Sequence, residues 1–164
     1  MAGLEVFWDS GSPYVWRVLL ALEVKQVRYI SRRSQFSKDE HKTPEFLAMN
    51  PRGKIPVVRF GDFTLYESMA ILAWLDRKWS ERPIFGRDTS EHGQTMVGDQ
   101  VSAADIVLLP VVQLILRTAG HERGVPLELG FLPLAEHYPK LAAWLERMEA
   151  LPGYDRTYPP HWRS

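Results

Sequence analysis

Short β-prone runs end at Tyr66, and every periodic segment after that point has helical spacing. The runs Leu4 to Trp8, Val27 to Ser31, Pro56 to Phe60 and Phe63 to Tyr66 are apolar, aromatic or β-branched and are bounded by turn residues, which predicts four strands. Between the first two, Pro13 suits a first helical turn. Val15, Val18, Leu19 and Leu22 recur at i, i+3, i+4, i+7, the spacing of one buried helical face. Arg32 to Lys38 reads as polar loop. Asp39 to Met49 has helical composition interrupted by Pro44, so only a short or irregular helix is expected there. Gly61-Asp62 separates the last two strands as a two-residue hairpin turn, and Ile71, Leu72, Leu75 and Trp79 mark a further amphipathic helix. The order is βαβαββα, followed by helices alone.

With 164 residues, the chain has room for one domain or two small ones sharing an interface. In the second half, Ser102-Ala-Ala-Asp105 has the form of a capping box, with Val101 and Ile106 where a hydrophobic staple would stand. The helix it opens is apolar nearly all round, which predicts a central position, and Pro110 interrupts its backbone bonding. Pro139 to Leu151 is the last clear element, with Leu141, Trp144, Leu145 and Met148 on one face and Pro152-Gly153 as its stop.

Composition removes several kinds of chemistry. Twenty Lys plus Arg balance twenty Asp plus Glu, so no net field draws the chain to nucleic acid or to an anionic membrane. Without cysteine, the chain has no thiolate metal site, iron–sulfur cluster or cysteine nucleophile. No GxGxxG or GxSxG occurs, and Gly53-Lys54 continues with Ile55 where a phosphate loop needs Ser or Thr. His121-Glu122 begins like a zinc-protease helix, but position 125 is Val, so no metal is expected. His41, His92, His137 and His161 read as surface residues. The opening residues have no basic segment ahead of a long apolar one, and Ile106 to Leu116 is interrupted by Pro110 and Gln113. Neither a signal peptide nor a membrane span is expected, and the cytoplasm is the expected location.

Three local features carry chemistry. Ser12 precedes the first helix, where it is either an N-cap or the edge of an anion site. Glu67-Ser68 opens a helix directly after a strand, where free N–H groups suit a carboxylate but where Glu is also ordinary helix design. Ile55-Pro56 leads into a strand; a cis bond there would leave the Ile55 backbone as an edge for an extended ligand, although most X–Pro bonds are trans.

The segments SPYVWRVLLAL (Ser12 to Leu22), NPRGKIPVV (Asn50 to Val58), LYESMAILAWL (Leu65 to Leu75) and DQVSAADIVLLPVV (Asp99 to Val112) together resemble the cytosolic glutathione transferases of the serine type. The resemblance implies a thioredoxin-like N-terminal domain over residues 1–80, a linker over 81–98 and a shortened helical domain over 99–164. It implies Ser12 as the hydroxyl that bonds the glutathione sulfur, with Ser10 as the fallback. The Ile55 backbone before cis-Pro56 would meet the cysteinyl part of glutathione. Glu67 and Ser68 would hold the γ-glutamyl end, and Lys54 and Lys42 the glycyl carboxylate. Glutathione is then the co-substrate, a small apolar electrophile the second substrate, and detoxification the role. Tyr14 and Phe36 are expected to approach the electrophile. The alternatives are a glutathione-dependent isomerase or dehalogenase, whose serine-serine-cysteine signature is absent, and a non-catalytic binding protein of the same fold.

One departure stands out. In the family, two long helices separate the thioredoxin-like domain from the capped core helix. Here only Glu91 to Met96 resembles the start of one, and Val97 to Gln100 the approach to the core helix. Those helices form much of the family's homodimer interface and one wall of its electrophile pocket. The expectation is therefore a core helix with uncovered apolar faces and an assembly unlike the usual homodimer.

Overall fold

The computed structural model describes residues 3–86 and 101–163. The segment expected to resemble the first of the two long helices, and the one expected to approach the core helix, lie outside them. Strand β1 (Leu4–Trp8) leads through a short loop into helix α1 (Pro13–Val24), and β2 (Ile30–Arg33) then lies parallel to β1. Two 3-10 turns, Phe36–Lys38 and Glu40–Lys42, precede α2 (Pro44–Met49). The hairpin of β3 (Val57–Phe60) and β4 (Phe63–Tyr66) completes a four-stranded mixed sheet in the order β2-β1-β3-β4, and α3 (Ser68–Lys78) follows. This is the thioredoxin-like βαβαββα unit expected from the sequence.

Alternation along β1 explains its two faces. Leu4 and Val6 are buried in one core with Val18, Leu22, Ile71, Leu72 and Leu75. Phe7 points the other way and meets Phe46 of α2 edge-on at 6.4 Å. The hairpin turn is Gly61-Asp62, with Gly61 at φ +61°, a conformation that glycine adopts without steric cost.

β2 begins later than the sequence predicts. Val27 to Tyr29 are not strand, because the Val27 N–H donates to Leu22 O (2.9 Å) and Gln26 takes φ +56°, closing the end of α1. The paired residues are Ile30–Arg33, a strand exposed along its whole length, so no apolar alternation announces it. Arg32 and Arg33, expected in a loop, belong to this strand.

The helical half consists of α4 (Ala103–Gly120), the short α5 (Leu134–His137), α6 (Pro139–Glu149) and α7 (Tyr154–Thr157) among the described residues. Pro110 stays inside α4. The capping box forms: Asp105 Oδ2 accepts from the Ser102 backbone N–H (2.9 Å), and Ser102 Oγ accepts from the Asp105 N–H (3.4 Å). Helix α4 packs against α1, and Ile106, Leu109 and Trp144 join the same core as the sheet. By length and composition α4 could cross a membrane, with mean hydropathy 1.6, but 44% of it is buried inside the fold. On its other side Val111, Leu114 and Ile115 are exposed among the described residues.

A further cluster was not expected. Tyr154, Tyr158 and Trp162 surround Trp16 of α1, with centroid separations of 6.0, 5.3 and 5.7 Å. The indole N–H of Trp16 donates to Thr157 Oγ1 at 2.9 Å. Residues 154–162 are thereby fixed against the start of α1.

Candidate active site

Strand register gathers three distant segments at one end of the sheet. β1 runs into Asp9–Ser12, and its antiparallel pairing with β3, Phe7 opposite Val57, sets Pro56 and Ile55 level with the start of that loop. β4 pairs Tyr66 with Val57, so Glu67 and Ser68 continue beside Pro56 and Ile55. The loop to Ser12, the Ile55 backbone and Glu67-Ser68 therefore leave the sheet at the same end.

Ser12 is the N-cap of α1, extended at φ −82° and ψ 120°; its Oγ accepts from the Val15 N–H at 3.4 Å and its carbonyl from Trp16 N at 3.0 Å. A hydroxyl has one proton and two lone pairs, so the cap leaves the Ser12 proton free to donate. Pro13 has no N–H, and Tyr14 N–H has no intrahelical acceptor at this position, so the positive end of α1 opens beside the Ser12 hydroxyl. Capping and ligand binding, alternatives in the sequence, are thus compatible in one side chain.

The Ile55-Pro56 peptide is cis. The loop before it hangs on Asn50, only 2% exposed, whose side chain donates to Lys54 O (2.7 Å) and accepts from Arg52 N (3.1 Å). Glu67 is the N-cap of α3 at φ +69°, a region that non-glycine residues seldom occupy and that costs on the order of 1–3 kcal/mol. Its carboxylate is ion-paired with Arg52, and Ser68 beside it is buried.

The two lysines differ. Lys42 is engaged by Asp39 at 2.9 Å, both side chains exposed, and Lys42 holds the Asp39 carboxyl below its ordinary range. Lys54 is exposed and makes no ion pair among the described residues. Gly53, at φ +58°, brings the two turns together: a Cβ there would stand 3.1 Å from His41 O.

Asp9, a turn former by sequence, has a further role that no sequence pattern announces. Its carboxylate accepts from Ser10 N (2.8 Å), Phe36 N (3.1 Å) and Arg33 Nε (3.2 Å), tying the loop before Ser12 to the end of β2. Burial pushes its pKa up, but the Phe36 and Ser10 N–H groups and Arg33 outweigh that and hold it below the usual range. A carboxyl depressed in this way stabilises the fold fully above its unfolded value, near 3.9, and loses that contribution as pH falls through the folded value. Asp9→Asn is expected to flatten the acid limb of stability below about pH 4, read by urea unfolding between pH 3 and 6. An unchanged acid limb would count against the network.

Of the expected electrophile neighbours, Tyr14 is exposed beneath the Arg17 guanidinium (4.9 Å), and Phe36 stacks on His41 at 4.0 Å. His161 is exposed, as expected, and its Nδ1 lies 3.0 Å from Ser10 Oγ. Ser10, Ser12, Trp16, Thr157 and Pro159 line a small cavity of about 30 Å³.

Residues 11–78 match the family described as Glutathione S-transferase, N-terminal domain, and residues 65–147, just over half of the chain, match Glutathione S-transferase, C-terminal domain. The chain belongs to the glutathione S-transferase family. It is 36% identical over 85 residues to Glutathione S-transferase 1 of Dianthus caryophyllus, covering 52% of this chain and 38% of that protein. It is 48% identical over 75 residues to Glutathione S-transferase 4 of Zea mays, covering 46% and 34%. The aligned stretches thus span little more than a third of these curated relatives. Among solved structures, a glutathione S-transferase from the Antarctic clam Laternula elliptica superposes with a TM-score of 0.83 at 26% identity, covering 99% of this chain and 95% of that one.

Proposed function

We propose that this chain is a glutathione transferase that binds glutathione at the sheet end described above and activates its thiol. The supporting observation is that the pairing of β1, β3 and β4 sends the loop to Ser12, the Ile55 backbone and Glu67-Ser68 from the same end of the sheet. In this reading Ile55 pairs its backbone with the cysteinyl unit, Glu67 and Ser68 hold the γ-glutamyl end, and Lys54 meets the glycyl carboxylate. Lys42 joins Lys54 on releasing Asp39. Residues 1–80 form the glutathione-binding domain, 81–98 the linker and 99–164 the helical domain. The reading carries with it a role in detoxification, a cytoplasmic location and a homodimer that does not use the family's usual interface.

The mechanism follows from the thiol's ionisation. A free thiol has a pKa near 8.5, so only a few per cent is thiolate at pH 7. The Ser12 proton donates to sulfur, a bond roughly twice as strong to the anion as to a neutral acceptor, and the positive end of α1 adds about 0.3–1 kcal/mol. Together they account for a depression of one to two units, or about 1.4–2.7 kcal/mol. The thiol proton leaves to solvent on binding. The sulfur lone pair then forms the S–C bond to an electrophilic carbon while the leaving group departs with its own pair.

Glutathione titrated into the protein, with thiolate ultraviolet absorbance followed against pH, tests this. A bound thiol depressed by one unit or more supports the enzyme. Binding with an ordinary thiol pKa points to the non-catalytic binding protein, and absence of binding overturns the proposal.

A further inference from the structure

Asp9 anchors the start of the thiol loop and the N-cap of Ser12 anchors its end. The residue between Ser10 and Ser12 is Gly11, at φ +91°, with no side chain to pack. The nearest heavy atoms to a Cβ built there are His161 Cε1 (3.0 Å), His161 Nε2 (3.1 Å) and Trp162 Nε1 (4.0 Å). The imidazole thus lies against Gly11 while its Nδ1 meets Ser10 Oγ at 3.0 Å. We propose that His161 is a positioning residue of the thiol site, holding the Ser10-Gly11 segment so that the Ser12 hydroxyl stays aimed at the glutathione sulfur. The proposal rests on the reading of Ser12 as the sulfur's hydrogen-bond donor.

The mount that presents His161 is packed against α1 and bonded to α4. The 3-10 turn Pro160–Trp162 sets the Trp162 ring edge-on to Trp16 at 5.7 Å and 85°. Arg117 of α4 donates to Trp162 O at 3.1 Å, and its guanidinium lies 5.4 Å from the Trp162 ring centroid. A neutral imidazole accepts the Ser10 proton at Nδ1 and carries its own on Nε2; an imidazolium donates from Nδ1 to the same oxygen. The contact survives either protonation state, so it acts as a brace and not as a pH switch. His161 is exposed, so its removal is felt in loop geometry more than in folding.

The test measures the bound thiol's pKa together with kcat and KM for glutathione, using an activated chloronitrobenzene. His161→Ala is expected to raise the bound thiol pKa by about half a unit and to lower kcat about 5- to 10-fold, with KM for glutathione within twofold. His161→Asn, which keeps a polar group near the Nδ1 position, restores most of the loss. Ser10→Ala matches His161→Ala, and the double variant is no worse than either. In a Ser12→Ala background, His161→Ala has little further effect on kcat or on thiol pKa. An equal loss in both backgrounds, or a change confined to KM or melting temperature, overturns the positioning role and leaves Ser12 as assigned. If Ser12→Ala itself leaves thiol pKa and rate unchanged, the underlying reading fails first.

Discussion

Ser12→Ala is expected to lower kcat/KM for glutathione about 10- to 100-fold near pH 6.5, equivalent to about 1.4–2.7 kcal/mol of lost transition-state stabilisation. The loss should narrow as pH rises toward 9, because glutathione then ionises without help from the protein. Alanine also removes an N-cap worth about 1 kcal/mol of stability. Ser12→Gly separates the two effects: glycine keeps most of the capping stability but supplies no hydroxyl, so its activity should match that of alanine while its melting temperature stays near the parent's. Ser10→Ala ranks the two serines. Ser10 faces His161 whereas Ser12 caps α1 with its proton free, so the Ser10 variant should lose less. A larger loss at Ser10 would transfer the donor role to it, and a fall of less than threefold at Ser12 contradicts its assignment.

What could be read in advance was what depends on neighbours in sequence. β1 spans the predicted Leu4 to Trp8, the hairpin turns at Gly61-Asp62, and the Ser102–Asp105 box caps the helix it announced. Each is a local pattern of a few residues. β2 was displaced because a strand exposed along its whole length has no apolar face to write into the sequence, while β-prone Val27 serves the helix end. Asp9 reads as a turn former after a strand. Its role as acceptor for Phe36 N exists only once β1 and β2 lie side by side. His161 and Trp162 meet Ser10 and Trp16 across nearly the whole chain, a proximity that no periodicity encodes. The Asp9–Ser12 loop is therefore legible where Ser12 caps α1 and illegible in what steadies it.

The largest loss of stability is expected from Asp105→Ala. Asp105 is 6% exposed, and its two oxygens accept from the Ser102 N–H (2.9 Å), the Ser102 hydroxyl (2.7 Å) and the Trp144 indole N–H (2.8 Å). Ser102 and Trp144 are themselves 4% and 9% exposed, so water does not readily replace the lost acceptor. The Trp144 indole N–H left unpaired in a buried place costs about 1–3 kcal/mol, and loss of the cap adds about 1 kcal/mol, or about 2–4 kcal/mol in all. For a chain of this size that lowers the melting temperature by about 2–4 °C per kcal/mol, or roughly 10 °C overall. Trp144→Phe removes one donor and keeps the ring's packing, so it should cost only about 1–2 kcal/mol. A loss below about 1 kcal/mol for Asp105→Ala would mean that cap and indole are not held as one unit. The consequence reaches the thiol site through packing: Asp105 joins the start of α4 to α6, α4 packs against α1, and α1 presents Ser12 at its first turn. Asp105→Ala should therefore keep near-normal turnover per folded molecule at low temperature and lose it on warming well before the parent does.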